Sequence, residues 1–517
     1  GALTGVAFLA MIFGMKNLMS MPEIAQDFPE VQRASPDKPN VVLILADDLG
    51  YGDISLHGNT MISTPNIDSI AKAGVDFTRG YASAPICAPS RAGMLTGRHQ
   101  VRFGYEFLPD PFLSHPRVRK QDYEDAGNQL NKKAWWNAVS LKEKGLPESE
   151  FTLAEMLKQE GYATGIIGKW HYGMHPRFRA NRYGFDYHFG FYGAAELFAR
   201  ANAPDIEVSR HKWSFTDALY WDVLECWVYE NGEEVSDQYD EYVTDLYTKK
   251  SVEFIEKNKD NRFFLHISHP APHAPFQAPK VYYDQLSHIE DHNKRVYYAM
   301  IKCMDDGIGE VMGKLRELNL EENTIVIFAS DNGGATYTRA AKNAPFFGGK
   351  MSNFQGGLVV PYMMQWKGKI GSGMHFENPT SLLDVMPTIA GGANIDLPKD
   401  IVYDGVNLLP YLIDSTFQNQ KPHETLYWRN GYVKTILDGD FKLHLNEKHG
   451  VSFLNNVKID VYEANNLAEK MPEKVSELTA KWEAWNRELT MPIWESACDV
   501  SIPTLEDGTG ERYFYPW

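Results

Sequence analysis

The sequence predicts an α/β fold. It has a large, mostly parallel sheet sandwiched by helices, then a small C-terminal subdomain of antiparallel sheet and packed helix. Three observations predict it. Short, almost wholly apolar runs recur at Asn40–Ala46, 163–167, 263–267 and 324–329, each of strand length and suited to burial on both faces of a parallel sheet. Helical patterns alternate with them, which calls for right-handed crossovers. From about residue 423 the character changes to closely spaced strand-like pieces, 432–437 and 441–445, around Asp438-Gly439, followed by a helix over 472–489.

The elements follow in order. Pro65–Ala73 reads as a helix. Residues 101–148 are irregular and carry Arg117, Arg119, Lys120, Lys132, Lys133, Trp135 and Trp136; a stretch this long without periodicity is more often functional than filler. Thr152-Leu153-Ala154-Glu155 is a capping box opening a helix that closes at Gly161. A second insertion, 194–240, holds a hairpin over 227–235 turning on Asn231-Gly232. Helices are predicted over 244–257 and 295–318. No repeat or low-complexity tract is present.

Composition limits the function. The 517 residues are 43% hydrophobic and 13% aromatic, enough for a sizeable core. A net charge of −17 argues against a nucleic-acid partner held by the overall field, so any anion must be met by a local cluster of cations. The cysteines are Cys87, Cys226, Cys303 and Cys498, with no C-x-x-C pair. The apolar run 5–15 is too short to span a bilayer and has the length of a signal-peptide core, although a positive n-region is missing. Residues 1–36 are therefore expected to be a truncated signal peptide and linker, with a periplasmic or secreted destination and no stable membrane span.

The polar residues fall where the buried strands end. Asp47 and Asp48 close one strand, Lys169 and His171 follow another, and Asp331 and Asn332 close a third. Ligands of open α/β sheets bind beyond the carboxyl ends of strands, so these groups can converge. Three carboxylates and an amide carbonyl suit a hard cation, Ca2+ or Mg2+, better than zinc. Singly, each Asp would be a cap or turn former, Lys169 and Lys350 surface lysines, and His171 and His273 structural histidines.

Cys87-Ala88-Pro89-Ser90-Arg91, continuing to Leu95-Thr96-Gly97-Arg98, changes that balance. C-x-P-S-R-x-x-x-L-T-G-R resembles the signature of the type I, formylglycine-dependent sulfatases of the alkaline phosphatase-like superfamily. Gly168-Lys169-Trp170-His171, Ala271-Pro272-His273-Ala274-Pro275, Ser330-Asp331-Asn332-Gly333-Gly334 and Gly349-Lys350 each resemble a family motif, in the family's order. The resemblance runs from about Lys38 to Leu489. It implies a catalytic domain over 37–422, a C-terminal α+β subdomain over 423–517, and a Cys87 converted to formylglycine by a formylglycine-generating or anaerobic maturase enzyme. If Cys87 is so committed, at most one disulfide remains among the other three cysteines.

By the same resemblance, Asp47, Asp48, Asp331, Asn332 and the hydrated residue 87 hold the divalent cation, with Ca2+ favoured over Mg2+. Arg91 stabilises the diol; Lys169, Lys350 and His273 hold the sulfate; His273 with Lys350 protonates the leaving alcohol; and His171 takes the proton that releases sulfate. Two positions depart from the family pattern: Gln355 and Val359 replace a Glu and an Arg near Lys350. The substrate is expected to be a sulfated carbohydrate, with Trp135 and Trp136 as stacking candidates. Two alternatives stay open, a phosphonate monoester or phosphodiester hydrolase of the same superfamily and a sulfated-glycan binding protein whose Cys87 is never matured.

Overall fold

The computed structural model describes residues 38–109, 124, 127–136, 139–200, 202–210, 220–221, 223–417, 420–507 and 512–517. The expected leader, residues 1–36, lies outside them, as do Arg117, Arg119, Lys120 and the side chains of Trp135 and Trp136.

A ten-stranded sheet forms the centre. Its middle is parallel: Thr324–Ser330, Asn40–Ala46, Phe263–Ser268, Ala163–Lys169 and Tyr187–Phe191 lie side by side in that order. These strands are buried on both faces, which is why they read as unbroken apolar runs rather than alternating ones. Tyr362–Gln365 turns antiparallel onto Thr324–Ser330, and Val75–Phe77 pairs antiparallel with it in turn. The opposite edge ends in the hairpin Tyr229–Glu230 and Glu233–Glu234, turning on Asn231 with φ 50°.

Helices cover both faces. Pro65–Ala73, Val243–Lys257 and His292–Glu317 pack over one, around Val42, Ile44 and Phe328. Cys87–Thr96, Leu153–Gln159 and Val385–Gly392 cover the other, around Val41, Leu43 and Ile327. The long helix starts three residues before its predicted position because Asp291 caps it, its side chain accepting from the Lys294 N–H at 2.9 Å. At the predicted Thr152 box both reciprocal bonds form, Thr152 N to Glu155 Oε2 at 2.9 Å and Glu155 N to Thr152 Oγ1 at 3.2 Å.

A four-stranded antiparallel sheet, Thr425–Asn430, Val433–Asp438, Phe441–Asn446 and Val451–Asn456, carries the helix Pro472–Asn486 on one face. Beyond it the chain returns to the main body. Cys498–Pro503 pairs with Arg512–Pro516 on one side and with Gln129–Leu130 on the other. The buried ion pair of Arg429 with Glu106, Nη2 to Oε2 at 3.1 Å, fastens the C-terminal sheet to the segment after Cys87–Thr96. All four cysteines are free thiols. Among the described residues no helix is long and apolar enough to cross a membrane.

Candidate active site

The three strand ends meet because the sheet puts them side by side. Asp331 N–H donates to Ala46 O at 3.1 Å, and Asp47 N–H to Ala271 O at 3.1 Å, so the turns after neighbouring strands are tied together. Asp48 and His171 hold left-handed backbone, φ 64° and 61°, costly for residues with a Cβ and frequent where a chain is forced to aim a functional side chain. Gly333 is dictated by close approach. A Cβ there would stand 1.8 Å from Gly356 O, and Gly333 N–H bonds Gly357 O at 3.1 Å. This contact joins the Asp331-Asn332 turn to the helix Gln355–Leu358.

Cys87 opens a ten-residue helix that ends on a left-handed Gly97. The positive end of that helix therefore sits at residue 87 and favours negative charge there. The loop bearing Lys350 is bound to it directly, Met351 N–H donating to Pro85 O at 2.7 Å. Each expected residue is buried: Asp47, Asp48, Cys87, Arg91, Lys169, His171, His273, Asp331, Asn332 and Lys350 are all at most 5% exposed.

Cations and carboxylates interlock. Lys169 Nζ donates to Asp47 Oδ2 at 2.5 Å, and Lys350 Nζ reaches the Asp48 carboxylate at 2.9 Å. Arg91 Nε donates to Asp331 Oδ2 at 2.7 Å, and its Nη2 lies 3.6 Å from Asp47 Oδ1. The Cys87 thiol donates to Asp47 Oδ1 at 3.2 Å. His273 Nδ1 meets Ala274 O at 2.5 Å, which fixes the ring and turns Nε2 toward Asp48 Oδ2 at 3.6 Å.

These neighbours set the protonation states. Burial pushes the Cys87 thiol well up and the Asp47 charge adds to it, so the thiol is neutral. Burial opposes ionisation of Asp47 as well, yet Lys169, His273, Arg91 and Lys350 together hold its carboxyl well below the usual range. Burial raises Asp331 to about 7 against the pull of Arg91. Burial, reinforced by Lys350, lowers His273 to about 4.

Ligating atoms of Asp47, Asp48, Cys87 and His273 lie within 4.8 Å of one another. Asp331 stands just outside that group, its carboxylate taken by Arg91 and by the Asp48 N–H at 3.3 Å. Asn332 donates Nδ2–H to Asp48 Oδ1 at 2.8 Å, while its Oδ1 is buried without a hydrogen-bond partner. An orphaned amide oxygen beside two carboxylates is what a hard cation would satisfy, so the residues present fit one.

Ser268 is a site residue the sequence did not single out. Its Oγ accepts from Arg91 Nη1 at 2.6 Å and donates to Lys169 O at 2.6 Å, setting both cations. The signal was there, since Ser268 is the polar end of an apolar strand. Gln355 and Val359 take up structural places: Gln355 N–H donates to Glu463 Oε2 at 2.6 Å, and Val359 lies in an apolar cluster with Tyr81, Leu358 and Trp428.

This geometry defines a buried cluster of interlocked cations and carboxylates at the carboxyl edge of an α/β sheet. The family model for sulfatases matches residues 39–395. N-acetylgalactosamine-6-sulfatase of Mus musculus is 30% identical over 430 residues, covering 80% of this chain and 72% of its own. Human arylsulfatase D is 31% identical, covering 77% and 72%. Among solved structures, Ps i-CgsB superposes with a TM-score of 0.73 at 29% identity, covering 88% of this chain and 94% of its own, and has also been solved with k-i-k-neocarrahexaose. The chain belongs to the sulfatase family and is a sulfuric ester hydrolase.

Proposed function

We propose that this sulfatase cleaves a sulfate monoester on a sulfated carbohydrate, using residue 87 after conversion of its thiol to a hydrated formylglycine. The observation that carries the proposal is the convergence of Arg91, Lys169, Lys350 and His273 on Asp47, Asp48 and Cys87 in one buried cluster. The carbohydrate follows from the relatives: one is named for N-acetylgalactosamine 6-sulfate and another holds a neocarrahexaose.

The neutral, buried thiol of Cys87 is a poor nucleophile. Its hydrated aldehyde supplies an oxygen in the same place, against Asp47 and at the positive end of its helix. A divalent cation held by Asp47, Asp48, Asp331, Asn332 and residue 87, Ca2+ on family grounds or else Mg2+, would lower the pKa of that oxygen and neutralise a sulfate oxygen. Arg91, pinned by Asp331 and Ser268, steadies residue 87. Lys169 and Lys350 offer their ammonium groups to the sulfate. His273 is neutral in the free site; an arriving anion raises its proton affinity, so that with Lys350 it can protonate the leaving alcohol. His171 is assigned the proton whose removal frees sulfate and restores the aldehyde.

Sulfate release from defined sulfated mono- and oligosaccharides, run beside an aryl sulfate and a phosphodiester, tests the proposal. Faster phosphodiester turnover would replace it with the hydrolase alternative. Mass spectrometry of the Cys87 peptide from the native host should show a loss of about 18 Da on conversion of thiol to aldehyde. An intact thiol there would favour the glycan-binding alternative.

A further inference from the structure

The last strand, Arg512–Pro516, lies outside the family match of residues 39–395. It is nonetheless built into the centre. Thr336 Oγ1 donates to Pro503 O at 2.9 Å, and Glu506 Oε1 accepts from the backbone N–H groups of Asn343 and Ala344 at 2.5 and 3.0 Å. The tail thus grips the loop that leads to Lys350.

Tyr513 and Tyr515 alternate with Phe514 and so share one face of the strand. Both rings belong to a cluster with Ile86 and Met351, the residues adjoining Cys87 and Lys350. Their hydroxyls differ. Tyr513 Oη meets His444 Nε2 at 3.0 Å. Tyr515 Oη is buried and has no hydrogen-bond partner among the described residues. Leaving a buried hydroxyl unpaired is costly, so one held beside a reaction centre calls for a ligand. The Glu106 carboxylate nearby is taken by Arg429 and by Gly431 N–H at 2.7 Å. Burial pushes the Tyr515 hydroxyl well up, with Tyr513 and Glu106 adding to it. At 1% exposed, Tyr515 is enclosed about as fully as Cys87 at 2%.

We infer that Tyr515 is a substrate contact, its hydroxyl donating to an oxygen of the sulfated sugar seated against Cys87 and Lys350. The inference rests on the carbohydrate sulfatase proposal and assigns the chain's end to substrate selection.

Tyr515→Phe in the full chain removes the hydroxyl alone. It should leave the melting temperature unchanged or raised, because no described residue loses a partner. On a sulfated N-acetylgalactosamine or carrageenan oligosaccharide, kcat/KM should fall roughly 3- to 10-fold, the loss of one neutral hydrogen bond. The ratio of that value to kcat/KM on p-nitrophenyl sulfate should fall with it. Oligosaccharide turnover equal to wild type would overturn the inference. So would a drop of several degrees in melting temperature with equal losses on both substrates, which would make the hydroxyl structural. Wild-type protein inactive on every carbohydrate would remove the carbohydrate proposal, visibly before any variant is compared, and the inference with it.

Discussion

Cys87 combines a strongly placed side chain with an unreactive one. Its sulfur is fixed by Asp47, yet burial and that same carboxylate keep it protonated. Replacement by Ala removes the sulfur that the proposed maturation would exchange for oxygen. Cys87→Ala should therefore abolish sulfate release while the circular dichroism and melting temperature stay close to wild type; near-wild-type turnover would end the formylglycine proposal. Cys87→Ser should give no sustained turnover, because a sulfate ester of an ordinary Ser has no second hydroxyl to expel sulfate; a rate assay past the first equivalent of product checks this. These residues were legible because each motif pairs a rare polar group with a strand end. Ser268 carried the same signal, a polar group at a strand end, but a lone Ser after Phe263-Phe264-Leu265-His266-Ile267 looks like any strand terminus. The hold of Arg91 on Asp331, 2.7 Å long across 240 residues, has no local signature either.

At the scale of elements, two joints hold the active face together. His423 Nε2 lies 2.7 Å from Asp384, whose carboxylate also takes the N–H groups of Ser381 and Val406 and so caps the segment leading into Val385–Gly392. Burial disfavours the His423 cation, but Asp384 outweighs it and raises its pKa above the ordinary value. With the folded pKa above the unfolded one, the stabilisation is full below about pH 6.5 and is lost as pH rises through the raised value. The melting-temperature gap between wild type and His423→Gln should thus be widest near pH 5.5 and shrink above neutrality. The second joint is Arg429 with Glu106. Arg429→Met strands a buried carboxylate and should cost about 3–5 kcal/mol in chemical denaturation, with Arg429→Met/Glu106→Gln recovering much of it.

Strands buried on two faces and amphipathic helices could be located from sequence to within a few residues, as 163–167 against Ala163–Lys169 and 244–257 against Val243–Lys257 show. The pairing of Cys498–Pro503 with Gln129–Leu130 could not. It spans some 370 positions and depends on tertiary contacts that no local periodicity encodes.

For the molecule as a whole, the net charge of −17 and an anionic substrate are compatible because the centre is balanced on its own. Asp47, Asp48 and Asp331 face Arg91, Lys169 and Lys350, three carboxylates against three cations. A divalent ion would tip this buried balance to positive and make an anion welcome; an anion in turn would make the ion easier to hold. Ca2+ should raise the melting temperature of matured protein, by about 2.7 kcal/mol of stability at a hundredfold excess over its Kd. Sulfate should bind more tightly in its presence, and calorimetry should show the same factor for Ca2+ in the presence of sulfate.

The tail that packs on Ile86, next to Cys87, also bears on an order of events. Cys87 precedes Arg512–Pro516 by more than 400 residues, so during synthesis the thiol emerges well before that strand. The finished fold offers a maturing enzyme a sulfur only 2% exposed. The proposed conversion would therefore belong to the interval before that strand docks. Unmodified protein, once folded, should resist a maturase that readily converts the free 80–100 peptide. The strand Arg512–Pro516 would thus act as a clock, fixing when the proposed chemistry can still be installed.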